Sequence, residues 1–351
     1  MPESSSLALI KALASALRRH PPFASVAAGD LECMAGGGLA HIHIRIKNRL
    51  LIARVPRWSQ YGLPPAENLA YQAACFARAA PSARTPRLHA TLAPQHGLPF
   101  GALIVELIAG RPVRLPADLA AMAECLARLH RLPVPPRHER APLIDQADPV
   151  AGTLAIIEGQ AGFLDAAGIA GDARRQIEDE LAWARRIAND RARPPHPVTL
   201  VGTDTHPGNY LIDAQGHAIL HDLEKAMYGS PAIDLAHCTL ATSTLWHRAC
   251  PAVLAPAEIL GFYQSYFAAV PRPLALALAP WLLPMRRFTW LRTMTWCVKW
   301  TAERGGGDRA TGADADAARL IARFFNPEDM HAMRDEWLGG APLPLAELVC
   351  S

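Results

Sequence analysis

Lysine is nearly missing from this 351-residue chain: of 35 basic residues only Lys11, Lys47, Lys225 and Lys299 are lysine, the rest arginine. Any chemistry that needs an ammonium group has four places to find it. Charge of either sign is sparse, at 19% of residues with a net +3, and no dense basic stripe with interleaved aromatics runs along the chain. Nucleic-acid binding is therefore not indicated. Half the residues are apolar, which excludes a disordered chain. Seven cysteines occur without a C-x-x-C or a zinc-type pairing. An odd count with no signal peptide reads as reduced thiols. The N-terminus lacks a basic region leading into an apolar one, and the most apolar window, Leu274 to Leu283, is too short to span a bilayer and is flanked by prolines. The expectation is a soluble, cytoplasmic protein without repeats, long enough for two lobes.

What the chain does have is concentrated in Val198 to Ala236. An apolar run (Val198, Leu200, Val201) ends in Gly202-Thr203-Asp204, followed by His206-Pro207-Gly208-Asn209. A strand-like stretch Tyr210 to Asp213, a turn at Ala214-Gln215-Gly216 and a second strand-like run from His217 to Leu220 lead to Asp222. Such a hairpin delivers Asp204, Asn209 and Asp222 from loops at strand ends. One carboxylate that accepts a hydroxyl proton, with an amide oxygen and a second carboxylate that hold Mg²⁺ on nucleotide phosphates, is a set suited to phosphoryl transfer.

Elsewhere the periodicities are plain. Leu7, Ile10, Leu13 and Leu17 share a helix face that ends near His20, with Ser5 or Ser6 as its cap. Gly36-Gly37-Gly38 precede a strictly alternating strand, His41 to Ile46, which turns at Lys47-Asn48 and returns as Leu50 to Val55. His41 and His43 share one strand face and read as polar residues on the outside of the hairpin, since a third metal ligand is missing. A helix begins at Pro64-Pro65, and Ala102 to Ile108 reads as a buried strand after turn formers from Ala90 to Gly101. Helices are expected over 119–132, 150–167, 172–188, 258–269 and 315–325, the last capped by Asp314. Leu274 to Lys299 contains Pro280 and Pro284 and should be at least two helices. Trp290, Trp296 and Trp300 alternate there with Arg286, Arg287 and Arg292; helix packing is the expectation, and an aromatic wall for a cationic amine the alternative.

D-x-x-x-x-N alone is a weak signal. The words around it are specific: THPGN, a hairpin, HDLE and then GSPAIDLAH resemble the aminoglycoside phosphotransferase and choline kinase superfamily, whose usual wording is HGDLHPGN, IDFG or IDFE, and GDPAYDLA. The resemblance spans roughly residues 30 to 265. It implies an α+β, bilobal, protein-kinase-like fold, with a sheet-rich lobe over 1–108 and a helical lobe over 109–351. It further implies an ATP- and Mg²⁺-dependent kinase acting on a small hydroxyl-bearing molecule. On matching positions, Asp204 is the catalytic base, and Asn209 and Asp222 hold the metal. Gly36, Gly37 and Gly38 cover the phosphates, and Arg54 grips them with Glu67 as its partner. Glu106 to Ile108 read the adenine edge through their backbone. Asp234 matches a carboxylate that braces the loop, and His130 is a structural residue. Two departures stand out: Gly202-Thr203 in place of His-Gly, and Lys225 three residues after Asp222. Other readings are a pseudokinase that binds nucleotide without turnover, and a binding module that uses the Arg/Trp-rich helices. The acceptor is left open among amino alcohols, sugars and aminoglycosides, although acidic residues beyond Ala236 are few.

Overall fold

A computed structural model describes residues 3–34, 40–246, 249–304 and 313–349; Gly36, Gly37 and Gly38 lie outside the described residues. The chain opens with α1 (Glu3–Arg18), so Ser5 and Ser6 sit inside the helix rather than capping it. Then come β1 (Leu31–Cys33), β2 (His41–Ile46), β3 (Leu51–Pro56), α2 (Pro65–Ala79), β4 (Leu88–Leu92) and β5 (Ala102–Glu106). The five strands form one antiparallel sheet in the order β1-β2-β3-β5-β4. The sequence does not announce β4, whose His89 and Thr91 interrupt its apolar residues.

Period-two alternation decides what each face of this sheet buries. Ile44 and Ile46 of β2 join Ala53, Val55 and Ile104 against Leu13 and Leu17 of α1. Full burial of each of these isoleucines contributes on the order of 2 kcal/mol. The opposite face carries Leu103 and Val105 and packs with Leu69 and Phe76 of α2 into the larger core. His43, Arg54 and Leu103 stand side by side in register on that second face. This corrects the reading of the two histidines as outward residues: His41 is 2% exposed. Alternation told which side chains share a face, but α1 decided which face was free to meet the helical lobe.

That lobe starts with β6 (Arg111–Pro112), α3 (Leu119–His130), α4 (Pro149–Ala161) and α5 (Gly171–Asn189). Four short strands follow: β7 (Thr199–Val201), β8 (Tyr210–Ile212), β9 (Ala218–Leu220) and β10 (Met227–Gly229). β6, β8 and β9 form one small sheet and β7 and β10 another, both antiparallel. The β8–β9 turn is held by Asp213, whose Oδ1 accepts from Gln215 N and His217 N, and Gly216 supplies the left-handed φ of 83°.

The remainder is helical: α6 (Pro231–Thr239), α7 (Ala241–Thr244), α8 (Pro256–Ala269), α9 (Arg272–Leu278), α10 (Leu282–Arg304), α11 (Ala313–Phe324) and α12 (Pro327–Leu338). The break expected between the prolines falls at Pro280, while Pro284 sits in the first turn of α10, where a missing N–H costs no bond. α11 starts at Ala313, so Asp314 is inside it and not its cap. α12 went unanticipated although its start is conventional: Asn326 caps Glu328 N and Asp329 N, and Pro327 follows. α10 is the lobe's central helix, with Met285, Phe288, Trp290, Leu291 and Met294 fully buried. Among the described residues no helix is long and apolar enough to cross a membrane.

Candidate active site

β7 delivers the chain into a loop that is fastened from behind. Asp234, fully buried in the first turn of α6, accepts from Gly202 N at 2.7 Å and from Thr203 N at 2.8 Å. His130, at the end of α3, lies 3.1 Å from Asp234 through Nε2 and 3.0 Å from the Tyr266 hydroxyl through Nδ1. Thr205 Oγ1 donates to Asp234 O. The departure at Gly202-Thr203 now has a physical description. A Cβ on Gly202 would meet Thr205 Cγ2 at 2.9 Å, so a side chain here would have to displace Thr205. Thr203 adopts φ 61°, a left-handed conformation costly for a β-branched residue. Besides the bond from its N–H to Asp234, its hydroxyl donates to Lys225 O at 2.9 Å and its carbonyl accepts from Arg292 Nη1 at 3.3 Å. Those bonds hold the strained residue in place, one position before Asp204.

The loop then closes on itself. Asn209 Nδ2 donates to Asp204 O at 2.8 Å, and Asn209 N donates to His206 O. With the amide nitrogen committed, the Asn209 carbonyl oxygen is the atom left to face a cation. Asp204 is 28% exposed at its side chain; Lys225 Nζ donates to its Oδ2 at 2.8 Å, and His206 Nε2 lies 3.9 Å from Oδ1. Burial alone would raise the Asp204 pKa, but Lys225, His206 and His237 outweigh it and hold the carboxyl well below the usual range. Burial likewise pushes His237 down to about 3, so this neighbour is neutral at pH 7.

Asp222 follows β9 and reaches the sheet lobe. Arg54 Nη2 donates to its Oδ1 at 2.6 Å, and Arg54 Nη1 donates to His221 O. The Arg54 guanidinium is 2% exposed and stands 5.6 Å from the Phe76 ring centre. Burial would raise the Asp222 pKa, yet Arg54 above all keeps it ionised, far below the ordinary carboxylate value. The expected pairing of Arg54 with Glu67 is not what the chain adopts. Glu67 lies exposed in the first turn of α2, and among the described residues no ion pair reaches it. The helix register explains why: the face of α2 turned inward carries Asn68, Leu69, Gln72, Cys75 and Phe76.

A second cross-lobe contact lies beside the first. His41 Nδ1 is 2.9 Å from Glu224 Oε2, and His41 Nε2 is 3.1 Å from Gln72 Oε1. Gln60 Nε2 donates to Glu224 Oε1, and the Tyr61 hydroxyl donates to Lys225 O. Sequence reasoning missed His41, Gln72, Gln60 and Tyr61, and noted Lys225 only as a nearby charge. The one available signal was that Lys225 is one of four lysines.

Glu106 and Ile108 close the edge of the sheet. Glu106 N donates to Arg87 O and Leu107 N to Leu50 O, both bonds of the sheet's end, and Ile108 follows past the last strand pairing. The Glu106 carboxylate turns to Arg87 at 3.4 Å. The Arg/Trp set of α10 is largely structural: Trp290 packs on Trp337, Arg286 pairs with Glu336, and Arg287 pairs with Glu180.

The cleft thus gathers a loop carboxylate, an amide tied to that loop, and a second carboxylate gripped by an arginine from the other lobe. Several solved structures share the architecture. A choline kinase from Cryptosporidium parvum Iowa II aligns over 97% of this chain and 99% of its own, with TM-score 0.65 at 12% identity. A putative aminoglycoside phosphotransferase from Ralstonia eutropha aligns over 92% and 98%, with TM-score 0.60 at 16% identity. A macrolide 2'-phosphotransferase from Brachybacterium faecium aligns over 90% and 98%, with TM-score 0.57 at 18% identity. No curated protein matches the sequence. The profile of the phosphotransferase enzyme family matches residues 42–276, from β2 to the α9 helix and through every loop described above. The chain belongs to the phosphotransferase enzyme family.

Proposed function

We propose that this enzyme transfers the γ-phosphoryl group of ATP to a hydroxyl of a small molecule, with Asp204 receiving the proton. The observation that carries the reading is the convergence of Asp204, Asn209, Asp222 and Arg54: Asn209 is bonded to Asp204 O at 2.8 Å, and Asp222 is held across the lobes at 2.6 Å. In the reaction the acceptor oxygen forms a bond to the γ-phosphorus. The bond from that phosphorus to the bridging oxygen breaks, and its electron pair leaves on ADP. The hydroxyl proton passes to the Asp204 carboxylate.

An Asp204 carboxyl held so far below its ordinary value is a weak base, and a loose transition state asks little of one. Its principal role is to orient the acceptor. Arg54 supplies the cation for the phosphates. Backbone groups of Glu106 and Ile108 meet the adenine edge.

The donor chemistry fits Mg²⁺. Among the described residues no cluster of three or more His, Cys, Asp or Glu could hold a metal alone. Asn209 and Asp222 offer two hard oxygens, which suits an ion that keeps waters and phosphate oxygens as its remaining ligands. When bound, such an ion neutralises charge on the phosphates.

The test is Mg²⁺-dependent ATP consumption against amino alcohols, sugars, nucleosides and aminoglycosides, with Asp204→Asn run beside the unmodified enzyme. Acceptor-stimulated turnover that the variant loses by about 100-fold is the expected result. A protein that binds Mg·ATP but turns over with no acceptor would overturn the reading.

A further inference from the structure

Asp204 is surrounded by positive charge in addition to the Arg54 that the proposed reaction assigns to the phosphates. Lys225 Nζ neutralises its Oδ2 at 2.8 Å. A second cation, Arg292 of α10, comes within one residue of it, where Nη1 donates to Thr203 O at 3.3 Å. The other arginines that α10 turns inward are compensated: Arg286 by Glu336 and Arg287 by Glu180. Arg292 has no such partner. Among the described residues its guanidinium, with five donors, makes that one bond to a neutral carbonyl and no ion pair. A half-buried guanidinium without a counter-ion is unfavourable unless something supplies one.

The acids that could do so are committed elsewhere. Glu224 is held by His41 and Gln60, Asp222 by Arg54, and Asp234 by the loop N–H groups and His130. Asp145 pairs with Arg137 and Arg140, and Asp148 with Arg193. The nearby histidines add no carboxylate: His206 and His237 stand 6.2 Å apart, ring to ring, beside Asp204. The cavity between Arg292, Gln146 and Thr153 is about 10 Å³, room for about one water and not for a substrate. An amine-bearing acceptor would meet two cations here, and the described acids around Asp204 named above are already paired. Nor do Trp290 and Trp296 of α10 form a cage for an amine, since Trp290 is buried against Trp337 and Trp296 stands edge-on to Trp246 at 5.8 Å.

We infer that the acceptor is an anion: a small hydroxyl compound bearing a carboxylate or phosphate, its hydroxyl at Asp204 and its charge against Arg292 and Lys225. This inference rests on the phosphotransferase reading of the same site and names its substrate class. Arg292 supplies the bidentate donor edge that suits either anion, and Lys225 the compact point charge.

The experiment uses the full chain with Mg·ATP and three matched sets of acceptors. The sets are hydroxy acids such as glycerate and gluconate, glycerol phosphate, and neutral or cationic counterparts such as glycerol, glucose, ethanolamine and an aminoglycoside. Turnover with the first or second set, and not the third, is expected, and the two sets separate carboxylate from phosphate. Arg292→Gln, checked for an unchanged melting temperature, should then raise KM for the anionic acceptor about tenfold or more while KM for ATP holds, with Arg292→Lys recovering part of the loss. Stimulation by neutral or amine-bearing acceptors instead overturns the inference and leaves the phosphotransferase reading intact. An Arg292→Gln enzyme that loses kcat equally for all acceptors at unchanged KM also overturns it, making Arg292 only a brace on Thr203. Mg·ATP binding without turnover on any set overturns both readings together.

Discussion

Two buried histidine–carboxylate pairs of nearly equal length do different work in this protein. His130 and Asp234 meet at 3.1 Å with both side chains wholly buried, and both belong to the helical lobe. Their carboxylate also holds Gly202 N and Thr203 N, so the pair sits under the catalytic loop as a fixed support. His41 and Glu224 meet at 2.9 Å, 3% and 7% exposed, but they join the sheet lobe to the segment after Asp222. The first pair sets the shape of a loop; the second couples the sheet lobe to the helical lobe. Distance and burial are alike, and connectivity separates their roles.

The sharpest way to break this comparison is Asp234→Ala. It leaves two buried backbone N–H groups and His130 without their acceptor, and should cost about 3–5 kcal/mol in chemical denaturation. A loss below about 1 kcal/mol would show that the loop holds its shape without the support. Asp204→Asn should do the reverse, removing about 100-fold of turnover while the denaturation midpoint barely moves. A large drop in midpoint would mean that the Lys225 ion pair is a structural element.

Glu224→Gln tests the cross-lobe pair. It keeps the side chain's size and its oxygen for Gln60, so the expected stability loss is only about 1–2 kcal/mol. KM for ATP should rise with little change in melting temperature beyond that loss. An unchanged KM would place the pair with His130–Asp234 as a support.

The last effect is pH-dependent and concerns a half-buried histidine that, among the described residues, makes no ion pair. His196 stacks on Trp281 at 4.4 Å, and burial lowers its pKa to about 4. Between that value and the unfolded 6.5 the unfolded chain binds the extra proton, so this contribution is complete above pH 6.5 and is lost as pH falls toward 4. The slope is about 1.4 kcal/mol per pH unit, and His196→Phe should flatten the measured acid limb by about one proton.

Much of the fold could be read directly from residue patterns. The alternation of His41 to Ile46 places β2 at the same bounds in the structure, and the turn expected at Ala214-Gln215-Gly216 forms there, held by the side chain of Asp213, which read as the end of the strand. Pro280 breaks the long helical stretch as its missing donor requires. The misses have a common physics. Ser5, Ser6 and Asp314 are good caps, but a cap's position is settled by where tertiary packing ends a helix. β4 gave too little apolar pattern to register, because its strand is covered from one side only.

In the site the same boundary holds. Asp204, Asn209 and Asp222 lie within one hairpin, so their spacing along the chain largely determines their spacing in the cleft. Arg54 faces Asp222 across 168 positions, His41 faces Glu224 across 183, and Arg292 reaches Thr203 across 89. No local period encodes those meetings. They follow from which side of the sheet α1 covers and from how α10 seats its buried face, and that is why Glu67 was mistaken for the partner of Arg54. By itself the sequence determined the phosphotransfer hairpin and the lobes that frame it. Only the tertiary structure decided which cations stand around Asp204, because close approach of long side chains from separate elements is a property of packing.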